Sequence, residues 1–133
     1  MKKTNCIMLI DDNEADNLFH SRTIRKADVC RHLEVVTGGQ DALDYLAKCG
    51  GEQFPRPDII FLDINMPGMN GFEFLEEYAK LDPRLKSKMV VFMLTSSLMP
   101  QDSERALNSG MVSEFLNKPL TIQKVQEIAD RCA

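Results

Sequence analysis

The sequence lacks the features that direct a protein to a membrane or to nucleic acid. Its longest apolar run, at residues 89–94, is far shorter than the roughly 20 residues that a membrane-spanning helix needs. The apolar stretch near the N-terminus stops at Asp11, too early for a secretory signal. The 16 basic residues are scattered and the formal net charge is -4, which argues against a basic surface for a phosphate backbone. We therefore expect a cytoplasmic protein that contacts neither membranes nor nucleic acid.

Cysteine and histidine are also sparse, and their spacing matches neither a disulfide framework nor a zinc site. The four cysteines are Cys6, Cys30, Cys49 and Cys132. They include no CxxC pair, so we interpret them as reduced, structural thiols. His20 and His32 lie in polar stretches around the first predicted helix. We expect both histidines to be solvated and assign neither a role.

Short apolar runs alternate with longer amphipathic segments, a pattern typical of a parallel sheet covered by helices. Strands are predicted at residues 6–10, 33–36, 59–62, 89–94 and 113–116. Helices are predicted at residues 14–26, around 42–47, at 71–81, after Pro100 and after the N-cap candidate Thr121. In the first helix the apolar stripe is Ala15, Leu18 and Phe19, with Ile24 outside it. A chain of 133 residues is long enough for one such α/β domain and too short for two.

Polar side chains follow four of the predicted strands at the point where each strand ends. Asp11 and Asp12 follow the first strand, Asp63 the third, Thr95 the fourth and Lys118 the fifth. Taken singly, each has an ordinary alternative, such as a helix cap, a solvated turn or a surface lysine. Their joint placement favours a site, because ligands of open α/β sheets bind at the carboxyl ends of the strands.

The predicted cluster of three carboxylates requires a cation. Two unit charges about 4 Å apart repel each other by about 4 kcal/mol at an effective dielectric constant of 20. Oxygen ligands of this kind favour Mg²⁺. A carboxylate can also attack phosphorus to give an acyl phosphate, whose oxygens Lys118 and the hydroxyl of Thr95 can bind. The cluster therefore predicts phosphoryl chemistry that depends on Mg²⁺.

Four stretches of the sequence resemble the receiver family of response regulators. They are PDIIFLDINMPGMNG at residues 57–71, LIDD at 9–12, LTSS at 94–97 and FLNKPL at 115–120. The resemblance extends over residues 7–128 and keeps the family's order of motifs and its usual gaps. It implies a flavodoxin-like doubly wound parallel sheet of five strands in the order 2-1-3-4-5, with five helices.

The resemblance also implies the roles of individual residues. Asp63 resembles the phosphoacceptor, and Lys118 resembles the counter-charge of the phosphoryl group. Asp12 resembles a direct Mg²⁺ ligand, Asp11 a ligand through water, and Asn65 a ligand through its backbone carbonyl. Together with Asp63 these residues are the expected metal site.

Further positions of the family pattern concern switching and decay. Thr95 resembles the hydroxyl that follows the phosphoryl group, and Phe115 occupies the switch position where many members have Tyr. Lys118-Pro119 resembles the family's cis peptide. Asn65 and Ser97 lie two residues beyond Asp63 and Thr95, and we expect them to set the lifetime of the acyl phosphate.

The sequence thus predicts a phosphoacceptor receiver of a two-component phosphorelay. The expected phosphodonor is a sensor histidine kinase or a histidine phosphotransfer protein, and the expected output is a downstream protein target or a relay. We expect one receiver domain over residues 1–133 without an output domain, which catalyses only its own phosphorylation and dephosphorylation. Whether it forms a homodimer stays open.

Two alternatives from other classes are weaker. A phosphatase of the haloacid dehalogenase type has a second Asp two residues after its nucleophile, where this chain has Asn65, which cannot donate a proton as an acid. A degenerate receiver would act only as a binding module. The intact set of Asp63, Thr95 and Lys118 argues against it.

Overall fold

In the computed structural model, the chain is described at residues 3–49, 53–64, 66–81, 91–95 and 112–132. The strands are β1 (Thr4–Ile10), β2 (Cys30–Val36), β3 (Ile59–Asp63), β4 (Val91–Thr95) and β5 (Val112–Asn117). The helices are α1 (Glu14–Ala27), α2 (Gly39–Lys48), α3 (Gly71–Ala79) and α4 (Ile122–Cys132). The helix predicted after Pro100 lies outside the described residues. Among the described helices, none is long and apolar enough to cross a membrane.

The five strands form one parallel sheet in the order β2-β1-β3-β4-β5, which confirms the predicted flavodoxin-like order. Every residue of β3 is buried, as expected for a central strand with helices on both faces. Ile10 of β1 lies in register with Leu62 of β3, and Asp63 lies opposite Leu94 of β4. Because all strands run the same way, their carboxyl ends meet at one edge of the sheet.

Two hydrophobic clusters cover the two faces of the sheet. Met8 and Ile10 of β1 pack in the cluster that includes α2 and α3, whereas Ile7 and Leu9 pack in the cluster that includes α1 and α4. This division follows from the alternation of side chains along a strand. All four side chains are fully buried, and burial of each contributes about 1.5–3 kcal/mol to folding.

The buried face of α1 differs from the predicted one. Leu18 and Phe19 are exposed at 55% and 52%, Ala15 is also exposed, and Ile24 is fully buried. The inward face carries polar side chains instead, namely Asn17, His20, Ser21 and Thr23. Three of them can be buried because they donate hydrogen bonds to nearby backbone carbonyls. Hydropathy alone therefore assigned the wrong stripe.

Side-chain caps fix where two helices begin near the carboxyl edge of the sheet. The side chain of Asn13 accepts a hydrogen bond of 2.9 Å from the backbone N–H of Asp16, which begins α1 directly after the acidic pair. Thr121 Oγ1 accepts a hydrogen bond of 3.1 Å from the backbone N–H of Lys124, as predicted for the cap of the last helix. These caps begin α1 shortly after the end of β1 and α4 shortly after the end of β5.

Candidate functional site

Three carboxylates converge at the carboxyl edge of the sheet. Asp11 and Asp12 follow β1, and Asp63 is the last residue of β3. Asp11 is completely buried, Asp63 is 5% exposed and Asp12 is exposed. One carboxylate oxygen from each of the three lies within 4.8 Å of the others. A set of hard oxygen donors that is open to water on one side fits Mg²⁺, which usually retains several water ligands.

Lys118 reaches this cluster from the end of β5. Its Nζ lies 2.9 Å from Asp11 Oδ2, 2.9 Å from Asp63 Oδ1 and 2.8 Å from Asp16 Oδ2. Burial alone would lower the pKa of Lys118, but the hydrogen bonds to Asp16, Asp63 and Asp11 raise it above its ordinary value. Lys118 is therefore a permanent cation that pairs with three carboxylates.

The carboxyl group of Asp63 is poised between its charged and neutral forms. Burial raises its pKa to about 6; the hydrogen bond from Lys118 lowers it, and the charge of Asp11 raises it further. At pH 7.5 the group is mainly a carboxylate, the form that can act as a nucleophile. A bound cation would favour that form further.

The backbone around Asp11 holds the cluster in place. Asp11 Oδ1 accepts a hydrogen bond of 3.0 Å from the backbone N–H of Asn13, and the Asp11 carbonyl accepts one of 2.7 Å from Asn17 Nδ2. The cluster opens into a cleft of about 580 Å³. The cleft is lined by Asp11, Asp12, Asn13, Glu14, Ala15, Asp16, Asp63 and Lys118. It is acidic, solvent-accessible and large enough for a phosphoryl group with a hydrated metal ion.

The structure describes only some of the other predicted site residues. Thr95 is the last residue of β4, in register with Asn117 of β5. Asn65 and Ser97 lie outside the described residues. Phe115 is half-buried and packs against the hydrophobic cluster that includes α2 and α3. The peptide bond between Lys118 and Pro119 is cis.

Asp16 is a site residue that sequence reasoning did not identify. It occupies the first turn of α1, where an acidic residue is ordinary because it complements the helix dipole. Nothing local distinguishes it from Glu14, which occupies the same turn. Only the position of Lys118, 102 residues further along the chain, shows that Asp16 belongs to the cluster.

The expectation that His20 is solvated is wrong. Its side chain is buried in the inward face of α1 with 1% exposure, and within the described part of the chain neither ring nitrogen has a hydrogen-bond partner. Burial lowers its pKa, as does the charge of Lys118, whereas Asp16 and Asp11 raise it. His20 is therefore a neutral side chain in the core next to the site. His32 is half-exposed and lies 3.0 Å from Glu34.

An exposed apolar surface adjoins the acidic cleft. Leu18 and Phe19 of α1 and Ile122 of α4 are the large hydrophobic side chains with the highest exposure among the described residues. Phe19 and Ile122 line a second cleft of about 430 Å³ between α1 and the turn from β5 to α4. Arg22 also lines this cleft. Clustered apolar surface of this kind typically marks a protein contact.

Comparisons with known proteins agree with this geometry. Residues 7–130 match the family described as the response regulator receiver domain. A probable methanogenesis regulatory protein of Methanothrix harundinacea is 32% identical over 126 residues, which are 93% of this chain and 78% of that protein. The hybrid signal transduction histidine kinase L of Dictyostelium discoideum is 24% identical over 123 residues, which are 92% of this chain but only 7% of that kinase.

The fold has a counterpart among solved structures as well. The crystal structure of a two-component response regulator from Cytophaga hutchinsonii matches with a TM-score of 0.88 at 32% identity. The match covers 98% of this chain and 97% of that chain. Family match, identity and fold agree over nearly the whole sequence, so the chain belongs to the response regulator receiver domain family.

Proposed function

We propose that the chain accepts a phosphoryl group on Asp63 from the phosphohistidine of a histidine kinase or a histidine phosphotransfer protein. The observation that carries this proposal is the convergence of Asp11, Asp12 and Asp63 within 4.8 Å, with Lys118 bonded to Asp63 at 2.9 Å. The expected metal is Mg²⁺, held by the carboxylates of Asp12 and Asp63, by the backbone carbonyl of Asn65 and, through water, by Asp11. When bound, it would neutralise charge on the carboxylates and on the transferred group.

In the proposed reaction an oxygen of the Asp63 carboxylate attacks the phosphorus atom of the phosphohistidine. An O–P bond forms, the P–N bond breaks, and its electron pair remains on the imidazole nitrogen of the donor. Lys118 and the hydroxyl of Thr95 bind oxygens of the transferred group. In the later hydrolysis, a water oxygen attacks phosphorus and the bond between phosphorus and the Asp63 oxygen breaks. Asp63 regains its carboxylate, and inorganic phosphate and a proton are released. The protein acts only on its own phosphorylation state.

The surface next to the cleft supports a protein as the phosphodonor. The exposed side chains of Phe19 and Ile122 line a cleft that includes Pro119, the residue after Lys118. A partner that fills this cleft would bring its phosphohistidine towards Asp63. One relative of this chain is itself a hybrid signal transduction histidine kinase. The signal would then pass to a downstream protein or along a relay.

Phosphorylation by a small donor tests the acceptor. We expect acetyl phosphate with Mg²⁺ to add one phosphoryl group to the parent, and to add none after chelation of the metal or in Asp63→Asn. Asp58→Asn is a matched control, because Asp58 is equally buried at the opposite edge of the sheet, where it accepts hydrogen bonds from Asn5 and Cys6. Intact-mass measurement follows the product. A hydroxylamine-labile phosphate on Asp63→Asn would refute the assignment.

Transfer from a phosphorylated histidine protein tests the partner surface separately. Phe19→Ser should slow this transfer and leave labelling by acetyl phosphate unchanged, since Phe19 lies on the apolar surface and outside the lining of the acidic cleft. Ala47→Ser, at an exposed position of α2 on the other face of the sheet, provides a control. Equal rates for parent and Phe19→Ser would exclude this surface as the docking site.

The lifetime of the acyl phosphate tests the roles of Asn65 and Ser97. Neither side chain can act as a strong base, so we expect moderate decay that depends on the access of water. Exchanging either residue for a bulky or charged one should change the decay rate. Unchanged rates for both exchanges would contradict this role.

A further inference from the structure

The three hydrogen-bond donors of Lys118 are all occupied in this structure. An ammonium group has three N–H donors and no acceptor. Asp11, Asp16 and Asp63 each place a carboxylate oxygen 2.8–2.9 Å from Nζ. If Lys118 is to bind a phosphoryl oxygen as the proposed function requires, one of these three contacts must first be given up.

The three carboxylates differ in how easily each can leave. Asp11 is completely buried and is also held by the backbone N–H of Asn13, so its release would leave a buried charge unpaired. Asp63 is the acceptor itself and stays next to the group that it carries. The side chain of Asp16 is 38% exposed, so its carboxylate can turn into water at little cost.

From this difference we infer that Asp16 is a positioning residue that holds Lys118 in the resting protein and is displaced from it by the phosphoryl group. This inference rests on the proposed function and adds a residue to it. Asp16 and the phosphoryl oxygen compete for the same N–H of Lys118. Asp16 therefore stabilises the resting state relative to the phosphorylated state. Its contact with Lys118, which joins α1 to the end of β5, is broken on phosphorylation.

The competition predicts the effect of removing the Asp16 charge. In Asp16→Asn the contact to Lys118 becomes a hydrogen bond to a neutral amide, which is weaker than one to a carboxylate. The variant therefore loses a weaker interaction with Lys118 than the parent does when the phosphoryl group binds. We expect the phosphoryl mimic beryllofluoride, at saturating Mg²⁺, to bind Asp16→Asn about three- to tenfold more tightly than the parent.

Two matched variants separate this effect from a general change in charge. Glu14→Gln removes one negative charge from the lining of the same cleft, but Glu14 is not among the three acceptors of Lys118. We expect its affinity for beryllofluoride to stay within about twofold of the parent. Asp16→Glu keeps the charge on a side chain long enough to reach Lys118, and it should restore the parental affinity.

Titration with beryllofluoride, followed by NMR of backbone amides, gives these affinities. Tighter binding by Asp16→Asn, with parental behaviour of Asp16→Glu and Glu14→Gln, supports the inference. Equal changes in Asp16→Asn and Glu14→Gln would overturn it, as would weaker binding by Asp16→Asn. Equal tightening in the two variants would mean a general charge effect. If the affinity changed in neither variant, the inference would also be wrong, because the phosphoryl oxygen would then take the N–H that now goes to Asp63. Absence of binding by the parent and every variant would instead refute the proposed function.

Discussion

Lys118 and Asp11 lie 107 residues apart in the chain, yet Lys118 Nζ is 2.9 Å from an oxygen of the completely buried Asp11 carboxylate. Lys118→Met removes the only cation among the described residues that line the acidic cleft. Because unpaired buried charges are costly, we expect the metal-free protein to lose about 2–4 kcal/mol of unfolding free energy at pH 7.5. Mg²⁺ should stabilise this variant more than the parent, since the lysine no longer repels the metal.

Urea unfolding with and without Mg²⁺ measures both effects. Lys124→Met is the control, because Lys124 pairs with Glu114 at 2.8 Å outside the cleft. Such surface pairs contribute about 1 kcal/mol or less. Equal losses in Lys118→Met and Lys124→Met would contradict the structural role of Lys118.

Asp63→Asn should stabilise the metal-free protein at pH 7.5. The pKa of Asp63 is raised to about 6 in the folded state, above the value of about 3.9 in an unfolded chain. A raised pKa means that the folded state binds the proton more tightly, so ionisation of Asp63 above pH 6 costs stability. The amide avoids this cost, and we expect a gain of about 1–2 kcal/mol.

The gain should shrink as the pH falls through 6, because Asp63 of the parent then becomes neutral as well. Urea unfolding at pH 5 and pH 7.5 with a chelator present tests this. Asp58→Asn should instead lower the unfolding free energy, since the Asp58 carboxylate accepts hydrogen bonds of 2.7 and 3.2 Å from backbone N–H groups of β1. A loss of stability in both variants would show that the acidic cluster is not strained by its charge.

His20 should make the protein less stable in mild acid. Burial lowers its pKa in the folded state, so below about pH 6.5 the unfolded state binds more protons and stability falls. This contribution is at most about 1.4 kcal/mol per pH unit. As the pH falls from 7.5 to 5.5, the unfolding free energy of His20→Leu should therefore rise relative to that of the parent.

The difference between parent and variant isolates His20 from Asp63, whose protonation acts in the opposite direction over the same range. His32→Gln is the matched control, since His32 is half-exposed beside Glu34. If His20→Leu and the parent have the same slope, His20 is not a buried neutral group in solution.

Thr95 should couple the chemistry at Asp63 to the surface around Phe115. Thr95→Ala is expected to accept a phosphoryl group at Asp63 while losing much of the response at Phe115, because the hydroxyl contacts the group in one state only. NMR of Phe115 with and without beryllofluoride gives the response. Thr37→Ala, at the end of the outer strand β2, is a control that should behave like the parent. Identical shifts at Phe115 in Thr95→Ala and the parent would end this coupling scheme.

Local patterns were sufficient to predict most of the fold. Near-continuous apolar runs predict buried parallel strands, and β1 to β5 lie within three residues of their predicted bounds. The acidic cluster was predictable too, because parallel strands bring their carboxyl ends to one edge regardless of how the side chains pack. Asp11, Asp12, Asp63 and Lys118 therefore meet as expected.

The failures lie on α1, where the surroundings decide what is buried. The sequence by itself determined the type of each described element, their order along the chain and the acids at the strand ends, since these can be read from local patterns. The order of the strands in the sheet was implied only by the resemblance to the receiver family. Only the tertiary structure decided that Phe19 faces solvent, that His20 enters the core, and that Asp16 reaches Lys118. Those outcomes depend on how α1 is rotated against the sheet and α4, and that rotation is set by contacts about 100 residues away in the chain.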